Sequence, residues 1–211
     1  LVQNNLVCIK LTCIDLLVYH SYKDMSDFKL IYYFPLTENT AMSQTEHLPL
    51  SHIKVVEFSH MVMGPSASAI LADLGADVIK IEPIGGDNTR RLRGSGAGYF
   101  AMYNRNKRSI CIDLKSKRGN RLAKQLTTGA DVLIENFRPG AMDKLGFGYA
   151  DLAEDNEQLI YCSTRGFLNG PYEHRTALDE VAQMMGGLAF MTGLPNRPMR
   201  AGASVIDVMG G

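Results

Sequence analysis

The chain has 211 residues, of which 45% are hydrophobic, and this share of apolar side chains is enough for a buried core. Lys plus Arg and Asp plus Glu number 22 each, so the formal net charge is zero. No global field therefore attracts nucleic acid or an anionic membrane, and any binding of anions must be local. No apolar run reaches the roughly 18 residues that a membrane helix needs.

The four cysteines are Cys8, Cys13, Cys111 and Cys162. They form no C-x-x-C pair and have no His at metal-ligand spacing, which argues against a zinc site and against a disulfide scaffold. We expect no metal, no nucleic-acid partner and no membrane partner. A reducing cytoplasm is the simplest compartment, with mitochondria and peroxisomes as the other two left open.

Residues 1–41 differ from the rest of the chain. They mix short apolar runs with polar breaks, follow no helical or strand period, and lack the basic start, apolar middle and cleavage site of a signal peptide. Met42 fits a true start of the protein. We interpret residues 1–41 as an extension that is either disordered or misassigned to the protein, and residues 42–211 as one α/β domain.

From Ser51 onward, short β-branched runs alternate with helical patterns, as parallel βαβ construction requires. The first helix is expected to begin at Pro65 and Ser66 and to stop at Gly75, and Ser116 is placed to cap a later helix. The expected strands are residues 54–58, 77–82, 109–114, 131–136 and 159–166; the expected helices are 64–75, 116–128, two short ones in PGAMDKLG and YADLAEDN, and 179–193.

Five strands with helices between them predict an α/β fold with a doubly wound, mostly parallel, Rossmann-like sheet, whose ligands lie beyond the carboxyl ends of the strands. In the predicted helix at 179–193, Gly186 and Gly187 each cost about 1 kcal/mol. The final run SVIDVMGG is strand-like and has no closing element after it, which we interpret as the end of a fragment.

Two common functional motifs are incomplete or absent in the sequence. GSGAG at residues 94–98 lacks the third glycine of a dinucleotide fingerprint, and no G-x-S-x-G nucleophile motif occurs. Lone histidines are expected to be structural, and Cys111 and Cys162 to be buried, inert thiols. Glu82 resembles a ribose-binding acid, but a solvated carboxylate at a strand end is the commoner case.

Two clusters combine amides, cations and aromatic rings. The first, NRNKR at residues 104–108, follows Tyr99, Phe100 and Tyr103, and the second is ENFRPG at residues 135–140. Charge-assisted bonds from such groups, at about 1.5 to 3 kcal/mol each, can hold phosphates while an apolar surface takes a base. We expect both loops to lie at neighbouring strand ends and to form one nucleotide site. Lys115, Lys117 and Arg118 fit a solvated helix face.

The chain resembles the class III coenzyme A transferases, a family that includes formyl-CoA and carnitine CoA-transferases and is related to α-methylacyl-CoA racemase. The matching runs are VVEFSHMVMGPSASAILADLGADVIKIEPIGGDNTR, YFAMYNRNKRSICIDLKSKRG, ADVLIENFRPGAMDKLGFGYADL, LIYCSTRGF and DEVAQMMGGLAFMTG. The resemblance implies that residues 42–211 are the N-terminal, CoA-binding portion of a Rossmann-like large domain. It also implies an interlocked homodimer at full length, with the small domain missing here.

The resemblance implies a set of contacts to coenzyme A, bound as an acyl-CoA substrate. Pro83 stands where many members have an arginine, which Arg90 or Arg91 would replace. The implied contacts are Met61, Val62, Met63, Asn104, Arg105, Asn106, Lys107, Asn136, Phe137, Arg138, Lys144 and Arg165.

The family chemistry needs an aspartate that attacks the acyl-CoA thioester. In our register this position reads Asn196, and an amide cannot replace a carboxylate. Asp179 is the catalytic candidate, with Asp207 as the other nearby carboxylate. Both also have structural readings, because Thr176 and Asp179 fit a helix capping box and Asp207 fits the end of a strand.

The expected function is transfer of CoA from an acyl-CoA to a carboxylic acid acceptor. The alternatives are a racemase-like acyl-CoA enzyme of the same fold and a catalytically inactive CoA-binding fragment. The racemase alternative needs a His and an Asp as an acid–base pair. Its Asp position matches Asp207, but its His position reads Leu178.

Overall fold

A computed structural model describes residues 8–9 and 48–211, so the interpretation of residues 1–41 as an extension lies almost wholly outside the described residues. The centre of the fold is one sheet of six strands in the order β1-β4-β3-β2-β5-β6. All neighbours pair in parallel except β1, which adds a two-residue antiparallel edge to β4. The strands are β1 Cys8–Ile9, β2 Lys54–Phe58, β3 Asp77–Glu82, β4 Arg108–Cys111, β5 Val132–Glu135 and β6 Ile160–Ser163.

Helices connect the strands and follow the last of them, which confirms the predicted α/β, mostly parallel sheet. Two short 3-10 turns, Asn88–Arg91 and Gly94–Gly96, lie between β3 and β4. The α-helices are α1 Met63–Asp73, α2 Tyr99–Tyr103, α3 Lys117–Thr128, α4 Ala141–Leu145, α5 Tyr149–Ala153, α6 Asp179–Met185, α7 Leu188–Thr192 and α8 Val205–Gly210.

Local signals set the ends of two helices as predicted. The Ser116 side chain accepts a hydrogen bond from the Gly119 amide at 3.0 Å and caps α3. After α1, Gly75 adopts a left-handed φ of 102°, and a Cβ there would lie 2.5 Å from the Leu48 Cβ. This position therefore requires glycine for both its backbone conformation and its space.

The C-terminal segment differs from the prediction in two ways. The expected helix at 179–193 is split into α6 and α7, because Gly187 takes a left-handed φ of 82°. The run SVIDVMGG forms helix α8, so its prediction as a strand was wrong. The capping-box prediction was wrong as well, since Leu178 is the N-cap of α6 and no side chain caps that helix.

The two faces of the sheet bury different chemistry. Strand side chains alternate between faces, and Val56, Phe58, Ile81 and Leu133 pack with α3, α4 and α5 in an apolar cluster. On the other face a smaller apolar cluster lies beneath α1. That second face also carries buried polar side chains in three adjacent strands: Glu57, Lys80, Glu82 and Ser109.

Candidate functional site

The loop after β2 meets the loop after β5 at the carboxyl edge of the sheet. The Asn136 amide donates to the His60 carbonyl at 2.7 Å and accepts from the His60 amide at 3.0 Å. This paired contact brings Met61, Val62 and Met63 close to Asn136, Phe137 and Arg138. Two of the segments expected to bind CoA therefore lie together.

Met61 has the most unusual backbone in the first of these loops. Its φ is 65°, in the left-handed region that side-chain-bearing residues seldom adopt. The Met61 amide donates to the Thr89 Oγ1 at 3.1 Å, and its side chain is 40% exposed. Val62 is buried, so of these two residues only Met61 presents its side chain to a ligand.

Arg165 joins the same edge through a buried carboxylate at the end of β5. Glu135 accepts from the Phe137 amide at 2.8 Å and lies 3.6 Å from an Arg165 guanidinium nitrogen. The Arg165 Nε donates to the Ser163 Oγ at 2.6 Å, and Ser163 in turn bonds to Glu135. Glu135 thus fixes both the start of the 136–138 loop and the Arg165 guanidinium just after β6.

Arg138 and Phe137 have different surroundings. The Phe137 ring packs against the apolar cluster and lies 5.6 Å from the His60 ring, measured between centroids. Arg138 is exposed, and no described side chain or carbonyl pairs with its guanidinium. Arg138 is therefore a cation that can meet a ligand phosphate without first breaking an ion pair.

Residues 104–107 lie elsewhere, and the expectation that they adjoin the 136–138 loop was wrong. They precede β4, whereas residues 136–138 follow β5, and parallel strands put these two positions at opposite edges of the sheet. Strands β3 and β2 also lie between β4 and β5. Binding of CoA by residues 104–107 stays a prediction, but a site shared with residues 136–138 does not follow from neighbouring strand ends.

The donors in residues 104–107 already have protein partners. Arg105 pairs with the Asp73 carboxylate at the end of α1, and the Asn106 amide donates to the same group at 2.8 Å. The Asn104 amide donates to the Phe100 carbonyl at 3.0 Å. Lys107 is only 2% exposed, and its ammonium lies 2.8 Å from Glu57, inside the protein.

Glu82 is buried at the end of β3 rather than solvated, so that expectation was wrong. Its carboxylate accepts from the Arg90 Nε at 2.7 Å and Nη2 at 2.6 Å, and also from the Asp87 amide at 2.7 Å. Burial alone would raise the pKa of Glu82, but the bonds from Arg90, Ser109 and Asp87 lower it to about 2. Arg90 also stacks 3.8 Å above the Phe100 ring. Of the two candidate replacement cations, Arg91 is the more exposed.

Lys144 lies in a groove along α3, with a volume of about 700 Å³. The groove carries five cationic side chains and no carboxylate. None of its lining residues belongs to the loops at 59–63 or 136–138, so the structure does not group Lys144 with those segments. The cations are Lys115, Lys117, Arg121, Lys124 and Lys144.

The two C-terminal carboxylates differ sharply. Asp179 is 5% exposed, and its Oδ1 accepts from the amides of Ile206 at 2.8 Å and Asp207 at 3.2 Å. Its Oδ2 accepts from the Gln183 amide nitrogen at 2.5 Å. Asp179 therefore caps the first turn of α8, a role that our sequence reasoning did not foresee.

The Asp207 carboxylate is partly exposed and has no hydrogen-bond partner among the described residues. Burial raises its pKa from 3.8 to about 6, and the charges of Asp179 and Glu180 act in the same direction. Helix α8 packs against the start of α1, where a Cβ on Gly211 would lie 2.3 Å from the Met63 carbonyl oxygen. Asp207 is thus carried by a helix that contacts the end of the 59–63 loop.

Asn196, by contrast, is exposed at a turn closed by the Arg197 amide, which donates to the Leu194 carbonyl at 2.9 Å. Its φ of 62° is left-handed, a conformation that asparagine tolerates better than most residues. This turn accounts for the residue type without any catalytic role.

Residues 50–211 match the model of "CoA-transferase family III". The chain belongs to this family. It is 43% identical over 170 residues to the acetyl-CoA:oxalate CoA-transferase of Acetobacter aceti, an alignment covering 77% of this chain and 44% of that protein. The human succinyl-CoA:glutarate CoA-transferase is 38% identical over 170 residues, covering 77% and 39%.

Solved structures agree with the family assignment. A CAIB/BAIF family protein from Brucella suis superimposes with a TM-score of 0.72 at 42% identity, covering 77% of this chain and 46% of that one. The chain thus spans less than half the length of these family III relatives.

The sequence analysis did not identify the buried charged side chains of this family III chain. Lys80 and Glu82 alternate with apolar residues in β3, and Glu57 lies between apolar residues in β2; apart from the first residue of each, these strands are otherwise apolar. In a parallel sheet covered by helices, such residues must be buried and therefore paired. That alternation was the available signal.

Within residues 48–211, no three His, Cys, Asp or Glu side chains group so that they could hold a metal ion. The helices of this same stretch are all too short or too polar to cross a bilayer. Cys111 and Cys162 are free thiols and are only partly buried, so their expected burial is confirmed only in part.

Proposed function

We propose that the complete protein transfers coenzyme A from an acyl-CoA to a carboxylic acid, with Asp207 as the nucleophile. Family membership supports the reaction class, and several curated relatives carry names of CoA-transferases that act with oxalate or glutarate. These names favour a small dicarboxylic acid as one substrate. The observation that carries the assignment of Asp207 is its partly exposed carboxylate, which has a raised pKa and no partner among the described residues.

The chemistry needs a carboxylate that can attack a thioester. An oxygen of Asp207 adds to the acyl carbonyl, and the CoA thiolate leaves, which forms a mixed anhydride. The thiolate then attacks the aspartyl carbonyl of the anhydride and releases the first acid, which leaves CoA bound as an aspartyl thioester. The acceptor acid reverses these two steps, so the enzyme and CoA are conserved and only the acyl group changes.

The pKa of about 6 at Asp207 suits this role. Near pH 7 most of the carboxylate is ionised, and a more basic carboxylate is a stronger nucleophile than one with an ordinary pKa. Asp179 lacks this freedom, because both of its oxygens accept hydrogen bonds within the protein. We therefore assign the catalytic role to Asp207 and the support of α8 to Asp179.

The CoA nucleotide is proposed to lie along the carboxyl edge of the sheet. There Met61, the 136–138 loop and Arg165 surround one place, and Arg138 offers an exposed guanidinium. Guanidinium groups bind phosphate through paired hydrogen bonds, so Arg138 is proposed to hold the diphosphate or the 3′-phosphate. Arg105, Asn106 and Lys144 lie outside this group of residues. They remain proposed contacts to more distant parts of the CoA molecule.

A second subunit or further chain is proposed to cover the C-terminal helices. Large apolar side chains there are exposed, including Phe190 at 75%, Met191 at 78% and Met209 at 81%. Monomeric proteins seldom leave such a patch open to solvent. We propose a homodimer, in keeping with the interlocked arrangement that the family resemblance implies.

The test uses the complete protein with an acyl-CoA and an isotopically labelled acceptor acid. The expected result is a labelled CoA thioester, together with a hydroxamate on the peptide containing Asp207 when hydroxylamine is added during turnover. Asp207→Asn should abolish both. A hydroxamate on the peptide containing Asp179 would overturn the assignment, and exchange of an α-hydrogen without CoA transfer would favour a racemase.

A further inference from the structure

The Glu57 carboxylate is the centre of a buried network beneath α1. The side chain is fully buried and accepts four side-chain hydrogen bonds. The donors are Ser59 Oγ at 2.5 Å, Ser68 Oγ at 2.6 Å, Lys80 Nζ at 2.7 Å and Lys107 Nζ at 2.8 Å.

Each lysine of this network also bonds to a backbone carbonyl. Lys80 donates to the Ser59 carbonyl at 2.6 Å, and Lys107 donates to the Pro65 carbonyl at 2.8 Å. Ser59 is the first residue after β2, and Pro65 lies in the first turn of α1. We name residues 59–65, which include this turn, the 59–65 loop. The two ammonium groups therefore join both ends of this loop to one carboxylate.

The middle of the 59–65 loop is held from the other side. Asn136 bonds to both backbone groups of His60, and Thr89 accepts from the Met61 amide. Asp87 accepts from the Thr89 hydroxyl at 2.8 Å and lies 3.4 Å from Lys80. The support of Met61 is thus connected to the Glu57 network through Asp87.

The left-handed backbone of Met61 explains why so many contacts are needed. A residue with a side chain keeps such a conformation only where its surroundings enforce it. Four side chains from four other parts of the chain bond to backbone groups of the 59–65 loop: Lys80, Thr89, Lys107 and Asn136.

The burial of Lys107 argues against direct contact with a ligand. Its ammonium has three protons, and the structure gives it three acceptors: Glu57, the Pro65 carbonyl and Asn104 Oδ1 at 3.3 Å. A phosphate would have to displace one of these acceptors inside the protein. Leaving Glu57 or the carbonyl unpaired there would be unfavourable.

We propose that Lys107 is a positioning residue, which acts through Glu57 and the Pro65 carbonyl to hold the 59–65 loop in its CoA-binding conformation. The identity of the ligand rests on the function proposed above, whereas the action on the loop does not. This inference replaces the phosphate contact expected for Lys107 from the family resemblance.

The first test is hydrogen–deuterium exchange on the complete protein without ligand. In Lys107→Met, amides of the 59–65 loop should exchange at least about tenfold faster, as expected when local bonds are lost, with β5 and α3 unchanged. Lys117→Met is the matched control, since Lys117 is exposed on α3 and should leave exchange unchanged. Unchanged exchange in the 59–65 loop of Lys107→Met would overturn the proposal.

The second test is a double-mutant cycle on CoA affinity and turnover. Lys107→Met and Glu57→Gln should each weaken CoA binding about tenfold or more, and the double variant should be little worse than either, because both act on one loop. The weaker binding should raise KM, whereas kcat, the rate at saturating substrate, should change far less. Independent, multiplying losses would indicate direct phosphate contact and overturn the proposal.

Two further results can be told apart from failure of the proposal: a variant that does not fold, and a wild-type protein that binds no CoA. If Lys107→Met does not fold, Lys107→Gln retains an N–H donor for the Pro65 carbonyl and should show a smaller change of the same sign. If the wild-type protein binds no CoA, the proposed function fails, yet faster exchange in the 59–65 loop would still support the role of Lys107.

Discussion

The Asp179 carboxylate accepts a hydrogen bond from the backbone amide of Asp207 at 3.2 Å, so one acidic residue supports the helix that carries the other. A second bond, from the Ile206 amide at 2.8 Å, completes the cap. The same negative charge raises the pKa of Asp207, together with burial. Asp179 thus places Asp207, the proposed nucleophile, and adds to the rise in its pKa that burial causes.

We predict that Asp207→Asn removes CoA transfer and stabilises the fold at pH 7. The amide cannot attack a thioester, so turnover should fall by at least about a thousandfold. Stability should rise by on the order of 1 kcal/mol, because a partly desolvated charge next to Asp179 and Glu180 is removed. Labelled-acid exchange and chemical denaturation measure the two effects, and an active Asp207→Asn protein would contradict the assignment.

Asp179→Asn should show the opposite pattern in stability. The substitution weakens charge-assisted bonds to the two amides of α8, so we expect a loss of about 1 to 2 kcal/mol. Residual transfer activity should remain, because the nucleophile is still present. Chemical denaturation and labelled-acid exchange measure both effects, and complete loss of transfer in a folded Asp179→Asn protein would argue against this division of roles.

The pH dependence of kcat/KM should report the ionisation of Asp207. Activity is expected to rise with pH through about 6 and then level off, because the nucleophile must be unprotonated. In Asp179→Asn the acidic limb should move to lower pH, since a neighbouring negative charge is gone. A limb at the same pH in both proteins would show that another group controls it.

Stability should fall in acid because of two buried carboxylates. The charges of Lys80 and Lys107 outweigh burial, which alone would raise the pKa of Glu57, and lower it from 4.5 to about 2. Glu82 is lowered to about 2 as well. A lowered pKa stabilises the fold above pH 4.5, and this stabilisation is lost between pH 4.5 and 2, on the order of 3 kcal/mol per group. Urea unfolding across this range tests it, with Glu57→Gln expected to show a shallower decline.

Gly64→Ala should disturb the loop that contacts Asn136. A Cβ at Gly64 would lie 2.5 Å from the Ser59 Cβ, which is too close, and Ser59 belongs to the Glu57 network. We expect a loss of about 1 to 3 kcal/mol in unfolding free energy and weaker CoA binding. Gly129→Ala is the control, because nothing lies within 4 Å of its Cβ position. Equal stability of the two variants would count against this packing.

Local signals in the sequence predicted much of the fold. Ser116 as a cap and Gly75 as a helix stop depend on nearby residues, and the alternation of strands and helices predicted the parallel sheet. Helix α8 was not predictable in this way, since its first amides are capped by Asp179 from a distant position. The edge of the sheet at which residues 104–107 lie could have been predicted, because they precede a strand of the expected parallel sheet whereas residues 136–138 follow one.

The candidate site was predicted only in part for the same reason. The family motifs predicted Met61 to Met63 and Asn136 only as separate contacts to CoA, and the contact between their loops became visible in the structure. Lys107 was expected to bind a ligand phosphate, because residues 104–108 combine amides and cations next to aromatic rings. Its burial follows from a partner fifty positions away, Glu57, which no local pattern identifies.

The polar face of the sheet has a consequence for how the protein tolerates mutation. Glu57 faces the two positive charges of Lys80 and Lys107, and Asp87, 3.4 Å from Lys80, supplies the second negative charge, so removing Glu57, Lys80 or Lys107 leaves a buried charge without its partner. Natural variants of this chain should therefore keep all three or replace them jointly with apolar residues, whereas the side chains packed under α3 can be exchanged singly.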